Sequence, residues 1–372
     1  MGLPSCKHDH ARYRDGSRCR DDRRKTSSRL RSIGCANRLI FLTGLLLCPF
    51  VGAAEGFRVA TFHAELTRKG PGILLRDLER GKDKQITALK QLVEAVDPNV
   101  LLLTKVDFDL ERRTARALGA VLGYEYTFTH APNSMIPTAV DLDGDGRTGD
   151  RQTWARYAGE GGMLLLSKHP IKLKFHLNDL LWEDVEGAKM PLDRDSNAYP
   201  STQARTLQKL VSQGLWVVEI QAEDTKPVTL ALFQNQTPVF DGPEDLNGLR
   251  NRAQLVLLSA VMKGTYGDFP KERFVLMGNA NLDPNKGEGD RSAIADLLED
   301  KRVQDVKPES ELGGIATAFW EKAGAHRVSY ILPSAEWLVG QANVVWPETG
   351  PLRTAVEKAS RHRMIWMDIT QP

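Results

Sequence analysis

The chain has 372 residues, 41% of them hydrophobic and 26% charged, with 50 Lys and Arg against 48 Asp and Glu and a formal net charge of +2. This is a globular composition, and it excludes collagen-like, fully disordered and multi-span membrane classes. Neither the charge nor the cysteine content is evenly spread. Cys6, Cys19, Cys35 and Cys48 all precede residue 50, and residues 1–38 hold 11 Lys and Arg against 4 Asp. An uncharged run follows from Leu39, ending in Gly52-Ala53-Ala54. A basic segment, a short apolar run and a small-residue site read as a secretory signal with cutting after Ala54. An uncleaved anchor is the alternative, but the run is shorter than the ~20 residues a spanning helix needs. The bulky Leu47 before Cys48 argues against a lipoprotein site. Residues 55–372 then form a cysteine-free domain with 39 Lys and Arg against 44 Asp and Glu. That domain is expected to be exported, periplasmic or extracellular, with no membrane span. Its bulk charge lacks the basic footprint of nucleic-acid binding.

Along this domain, short runs rich in Val, Ile and Leu alternate with amphipathic segments, the pattern of strands buried in a layered α/β protein. The predicted strands, in order, are Phe57–His63, Asn99–Thr104, Gly162–Ser167, Leu215–Ile220, Val228–Gln234, Arg273–Gly278, Val328–Pro333, Ala342–Trp346 and Met364–Ile369. A helix is predicted over Asp83–Val96, capped by Asp83, with Ile86, Leu89, Val93 and Val96 on one face and Asp97-Pro98 ending it. Two further helices are predicted over Asn251–Lys263 and Arg291–Glu299. Polar stretches at 130–161, 178–213 and 235–250 read as long loops of the kind that shape a site. No internal repeat or linker is apparent, and one domain is expected.

The order of motifs resembles that of the endonuclease/exonuclease/phosphatase superfamily. The resemblance rests on Arg58-Val-Ala-Thr-Phe-His63, Asp97-Pro-Asn-Val-Leu-Leu-Leu-Thr-Lys-Val-Asp107, Gly278-Asn-Ala-Asn281, Arg327-Val-Ser-Tyr-Ile-Leu332 and Ser360-Arg-His362. Gly161–Pro170 and Pro238–Asn251 are similar to stretches of its secreted bacterial members. The resemblance implies a four-layer α/β sandwich, two mixed β-sheets flanked by helices, with a site at one rim of the sheets. In active members that site cuts phosphoester bonds, using a carboxylate-held divalent cation, a base, a phosphate clamp and a proton source.

Carried over residue by residue, the resemblance implies a heavily substituted site. The family's first Asn is His63, its metal-binding Glu is Lys105, and its later His is Gln234. The Asp of the G-D-x-N motif is Asn279, the His-orienting Asp is Ser329 and the Asp of S-D-H is Arg361. Only Asn281 and His362 stand as the family has them. The formal charge rises by two units at each of Lys105 and Arg361 and by one at each of Asn279 and Ser329. A lysine ammonium ~4 Å from a divalent cation repels it by roughly 8 kcal/mol at an effective dielectric near 20. Hard cations also need oxygen ligands that this set does not offer, so no catalytic Mg is expected.

Two readings of the altered pocket follow. In one, Lys105 and Arg361 are salt-bridge partners of neighbours such as Asp107, Asp109 or Asp283. In the other, they stand where the cation stood and, with His63, Asn279, Asn281 and His362, hold a small phosphate or carboxylate ligand without cutting it. Function is therefore read as binding by a protein that has lost metal-dependent phosphoester hydrolysis. The alternative is an active phosphodiesterase or nuclease whose metal ligands come from Asp107, Asp109, Asp241, Glu244, Asp245 or Asp283. Separately, Asp141-Leu-Asp143-Gly-Asp145-Gly146 begins like a calcium loop, with carboxylates at alternate positions before a Gly. Its twelfth position is Gln152, with Asp150 two residues earlier, so the usual bidentate Glu is missing. A structural calcium bracing the 130–161 loop is expected, against an acidic surface turn.

Overall fold

Strict alternation of side chains along the strands decides the layers. In the computed structural model, which describes residues 56–222 and 226–371, one sheet contains β1 (Phe57–Leu66), β2 (Val100–Val106), β3 (Tyr126–Phe128), β4 (Gly162–Ser167), β12 (Leu338–Val344) and β13 (Ile365–Thr370), ordered β12-β13-β1-β2-β4-β3. The second contains β5 (Ile171–His176), β6 (Gly214–Ile220), β7 (Val228–Gln234), β8 (Phe274–Asn279) and β11 (Ser329–Pro333), ordered β11-β8-β7-β6-β5. β1 and β2 pair in parallel, as do β7 and β8, and their other neighbours are antiparallel, so both sheets are mixed. A small hairpin, β9 (Ala318–Trp320) and β10 (Gly324–His326), stands apart. The expected signal segment and its cut after Ala54 lie outside the described residues.

Val59, Val100, Leu102, Met163 and Leu165 of the first sheet meet Trp216, Leu230, Leu232, Val275 and Met277 of the second in one apolar layer. The intervening residues face outward. Phe62, Leu101, Leu103 and Leu166 are covered by helices α1 (Ile73–Arg80), α2 (Lys84–Val96), α3 (Arg113–Leu122) and α7 (Pro351–Ala359). Leu215, Val217, Phe233 and Leu276 are covered by α5 (Leu246–Met262) and α6 (Arg291–Leu298). The result is helix, sheet, sheet, helix, the four-layer arrangement expected. No helix among the described residues is long and apolar enough to cross a membrane.

Asp83 caps α2 as predicted, accepting the N–H groups of Gln85 and Ile86 at 2.8 and 2.9 Å, a contribution of about 1 kcal/mol. The elements that sequence reading overlooked lack such signals. Helix α3 starts after Arg112 in the left-handed region with no cap of its own, and the carboxylate of Asp109 takes the Arg113 and Thr114 N–H groups instead. Helix α5 begins at Leu246 rather than Asn251, shortening the third predicted loop. The strand placed at Ala342–Trp346 runs from Leu338 to Val344, because it lies at the sheet edge with most side chains in solvent and has no apolar run to mark it. The 178–213 stretch is irregular apart from short turns and α4 (Thr202–Arg205).

Gly278 shows how tightly the second sheet is built where it reaches the site. A Cβ there would sit 1.9 Å from the Phe233 carbonyl oxygen, a backbone atom of the neighbouring strand. At Gly214 the closest atom would be the mobile Met163 Cε at 2.6 Å. Gly278→Ala should therefore lower stability by about 3 kcal/mol and Gly214→Ala by about 1 kcal/mol, measured by urea unfolding; equal effects would contradict this packing.

Candidate functional site

At one rim, the positions that face the opposite sheet turn from apolar to polar. Along β1 the inward series Val59, Thr61 ends at His63; along β2 the series Val100, Leu102 ends at Thr104. Opposite them, Leu230 and Leu232 lead to Gln234, Val275 and Met277 lead to Asn279, and Ile331 leads back to Ser329. Strand register sets these ends level: His63 pairs with Thr104, and Asn279 with both Gln234 and Ser329. The five side chains form a buried polar rung between the sheets. Two bonds cross it. Asn279 Nδ2 lies 2.8 Å from His63 Nδ1, which also meets Thr104 Oγ1 at 2.9 Å, and the Lys105 N–H donates to Gln234 Oε1 at 3.0 Å.

Just beyond the rung both parallel strands bulge. Register slips between His63 and Leu66 in β1 and between Thr104 and Val106 in β2. Glu65 (φ 51°) and Lys105 (φ 61°) take left-handed backbone at these slips, a conformation costing about 1–3 kcal/mol for a non-glycine residue. Bulges re-aim side chains, and these two bring Glu65 and Lys105 to the site. Lys105 passes Gly161, itself at φ 76°, where a Cβ would lie 3.0 Å from the Lys105 Nζ.

Arg361 is paired with Glu65, not with Asp107, Asp109 or Asp283. Glu65 Oε1 accepts Arg361 Nε at 3.0 Å and also Nη2, while Oε2 accepts the Arg361 backbone N–H at 2.9 Å and lies 2.9 Å from Ser360 Oγ. Burial alone would raise the Glu65 pKa, yet the bonds from Arg361 hold it below the usual carboxylate range. His362 stacks on His63 with ring centroids 4.1 Å apart and meets the edge of Trp320 at 5.3 Å. Burial pushes the His362 pKa to about 4 and drives that of His63 well below its ordinary value, with neighbouring positive charge adding to both. Both rings are neutral at pH 7. His362 Nδ1 and Ser329 Oγ are buried without a hydrogen-bond partner among the described residues, so the His-orienting contact of the family pattern has no counterpart.

Burial also lowers the Lys105 pKa, with Glu160 opposing it and Arg156 reinforcing it. Two acids around Lys105 have other cationic partners, Glu160 with Arg156 and Glu65 with Arg361, while Asp107 accepts the Arg68 N–H through Oδ2 and its buried Oδ1 has no partner among the described residues. The ammonium has no ion-pair partner among the described residues. It lines a cleft of about 1090 Å³ together with His63, Gln234 and Asn281, whose exposed rim includes Trp154 and Phe240. Arg361 lines a different cleft, with Phe319, Trp320, Arg353 and Arg363. The structure thus gathers His63, Gln234, Asn279, Ser329 and His362 around the rung but sends the two substituted cations to separate openings. Asn281 stays with the first opening, its side chain donating to the Asn235 carbonyl at 2.7 Å and accepting from Asn279 at 2.9 Å.

Whether these residues suit a divalent cation can be tested on their donors. His63, Glu65 and His362 offer ligand atoms within 4.8 Å of one another. However, both Glu65 oxygens are engaged by Arg361 and Ser360, and an ion between the rings would face the Arg361 and Lys105 charges. The set does not fit the family's cation. Among the described residues the other such group is Asp141, Asp143 and Asp150; Asp145, expected as the third ligand, lies 3.8 Å from Arg147. None of the six acids considered as relocated ligands joins either group. Asp109 caps α3, Asp241 accepts the Asn247 N–H, and Asp283 accepts the N–H groups of Asn285 and Arg327. Glu65 escaped sequence reading; the cue was that an arginine replacing a buried acid needs a carboxylate within reach.

The sequence profile described as "Endonuclease/Exonuclease/phosphatase family" matches residues 75–362. No match was found among curated proteins. Among solved structures the chain is similar to an endonuclease/exonuclease/phosphatase from Beutenbergia cavernae, at 17% identity and TM-score 0.51 over 85% of this chain and 72% of that one. It is similar also to sphingomyelinase C from Streptomyces griseocarneus, at 14% identity and TM-score 0.46 over 85% and 99% of the two chains. A third is the human Nocturnin catalytic domain with bound sulfate, at 16% identity and TM-score 0.45 over 86% and 94%. At these identities structural likeness speaks for the fold alone, while the profile spans most of the chain, from α1 through α7, with β1 and β13 lying outside it. The chain belongs to the endonuclease/exonuclease/phosphatase family.

Proposed function

We propose that this protein is an exported member of the family that lacks metal-dependent phosphoester hydrolysis and binds a small anion, phosphate or carboxylate, in the Lys105 cleft. One observation carries the reading: Glu65 is engaged at both oxygens by Arg361 and Ser360, while the Lys105 ammonium lines the cleft without an ion-pair partner among the described residues. A metal mechanism needs the reverse, a free carboxylate and no competing cation. Neutral, unoriented His362 is poorly placed for acid/base work. Lys105 offers three donors to an anion, and Asn281 lines the same opening. Arg361, held by Glu65 at the other opening, contributes little to this ligand.

Two measurements test the reading. Screening with magnesium, manganese, calcium and zinc against bis(p-nitrophenyl) phosphate, p-nitrophenyl phosphate and DNA should give no metal-dependent turnover; turnover that vanishes on mutating one of Asp107, Asp109, Asp241, Glu244, Asp245 or Asp283 would reverse it. In calorimetric titration with inorganic phosphate, Lys105→Ala should weaken binding about tenfold, the loss of one charge-assisted contact, and unchanged binding would sink the anion assignment.

We also propose that calcium binds the 141–150 loop, through Asp141, Asp143 and Asp150 rather than Asp145. The three carboxylates are mutually close, and the Asp143 carbonyl is tied to Tyr199 OH, so an ion there would brace the 130–161 loop against the 178–213 segment. Crowding by Asp150, Asp145 and Asp141 adds to burial in raising the Asp143 pKa, a repulsion that a cation would relieve. Millimolar calcium should raise the melting temperature, and Asp143→Ala should abolish the rise; a wild-type protein indifferent to calcium would refute the site.

The histidine pair predicts a pH dependence. The folded-state pKa values of His362 and His63 lie below the ~6.5 of an unfolded imidazole, so the unfolded chain binds more protons between the two values. Their contribution to stability is complete above about pH 6.5 and declines as pH falls toward 4, by up to about 1.4 kcal/mol per pH unit for each ring. His362→Asn should flatten that slope in urea unfolding between pH 6.5 and 4.5, and an unaltered slope would show that the buried ring does not titrate as inferred.

A further inference from the structure

The cleft that Arg361 lines, of about 890 Å³, lies beside α7 and the β9–β10 hairpin. Three of the residues lining it carry a buried N–H with no acceptor among the described residues: Trp346 Nε1, Arg353 Nη1 and Arg363 Nε. Trp346 and Arg363 are only 6% and 5% exposed. The three form one assembly. The Arg363 guanidinium stacks 4.2 Å over the Trp346 ring, and it is close enough to Arg353 for that charge to add to burial in lowering the Arg363 pKa to about 10.

Several neighbouring donors are already used. Arg353 Nη2 pairs with Glu357 at 2.6 Å, Arg363 Nη1 donates to the carbonyls of Ser360 and His362, and Arg361 is held by Glu65. Glu321 and Lys322 also line the cleft, with opposite charges. The buried side-chain atoms of the cleft that lack a partner among the described residues are thus all donors, two of them on guanidiniums. Buried N–H groups in proteins are nearly always paired, and guanidinium donors complement planar or tetrahedral oxyanions. Leu312 and Phe319, each 42% exposed, give the same cleft apolar walls.

We propose that this cleft is a second ligand site, separate from the Lys105 opening, which takes an oxyanion, carboxylate or phosphate, borne on an apolar or aromatic group. Oxygen atoms of the ligand accept from Arg353, Arg363 and the Trp346 indole, while its apolar part lies against Leu312 and Phe319. The inference does not depend on the reading of the Lys105 cleft.

Calorimetric titration of the full chain with phenyl phosphate, benzoate, inorganic phosphate and benzyl alcohol tests it. At least one aromatic anion should bind saturably, and which one does so identifies the oxyanion. Inorganic phosphate at this site should bind at least about tenfold more weakly, and benzyl alcohol should give no saturable heat. Arg353→Gln, on the helix surface, should weaken the aromatic anion about tenfold, and Trp346→Phe, which keeps the ring and removes the donor, should weaken it severalfold. Lys105→Ala should leave it unchanged, whereas Lys105→Ala and not Arg353→Gln should govern inorganic phosphate at the other opening. No saturable binding of either aromatic anion, equal binding of benzyl alcohol, or indifference to both Arg353→Gln and Trp346→Phe would overturn the proposal. Loss of aromatic-anion binding in Lys105→Ala would move it to the other cleft and overturn it equally.

Discussion

Two apolar sheet faces attract each other without caring how they are aligned, because hydrophobic burial has no direction. In this protein the alignment at the working rim is set by hydrogen bonds that cross from one sheet to the other: Asn279 to His63, and the Lys105 backbone to Gln234. Everything else at the site is stacked on that rung. His362 lies on the His63 ring, Ser360 Oγ lies 2.8 Å from the His63 carbonyl, and Ser360 and Arg361 together hold Glu65. Losing the rung would disturb the chemistry before it disturbed the core, since the core's contacts are many and interchangeable whereas the crossing bonds are few and directional.

The local electrostatics follow from position. Where the family pattern has a cation held by acids, this chain has an internal ion pair on one side and, on the other, an ammonium without an ion-pair partner among the described residues. Buried ion pairs are costly to assemble because both partners lose water, and Glu65 with Arg361 reduces that cost by keeping the arginine two-thirds exposed, at 65%, while Glu65 is 19% exposed. Lys105 has no direct ion-pair partner among the described residues and feels the more distant acids Glu160, Asp107 and Glu65. The pair is closed and self-sufficient, whereas the lysine lines the neighbouring cleft.

The sandwich was legible because its strands are buried on both faces and therefore announce themselves as continuous apolar runs such as Val100–Leu103 and Leu230–Phe233. Edge and surface elements were not: β5 alternates Lys with apolar residues, α1 begins without a side-chain cap, and α3 takes its cap from Asp109, three residues before its N-cap position. Motif order placed His63, Gln234, Asn279, Ser329 and His362 near one another, and the structure brings these side chains together at one rim. The direction in which Lys105 and Arg361 point was not legible, because it depends on two bulges that shift register by a residue. Nothing in the local sequence of Glu65 advertises that it lies beside Arg361, 296 positions later. Asp150 displaced Asp145 in the acidic loop for a similar reason: proximity there comes from the loop's own fold rather than from even spacing.

The Glu65–Arg361 clasp and the lysine at the second bulge constrain one another's substitution. Putting glutamate back at position 105 alone would add a carboxylate to a neighbourhood that already holds Asp107, Glu160 and Glu65, with Arg361 still occupying the one acid able to help. Putting aspartate back at position 361 alone would strand Glu65 against a new like charge while Lys105 still repelled any incoming cation. Either change alone would leave a like charge uncompensated, so the clasp and the lysine depend on each other across the two openings.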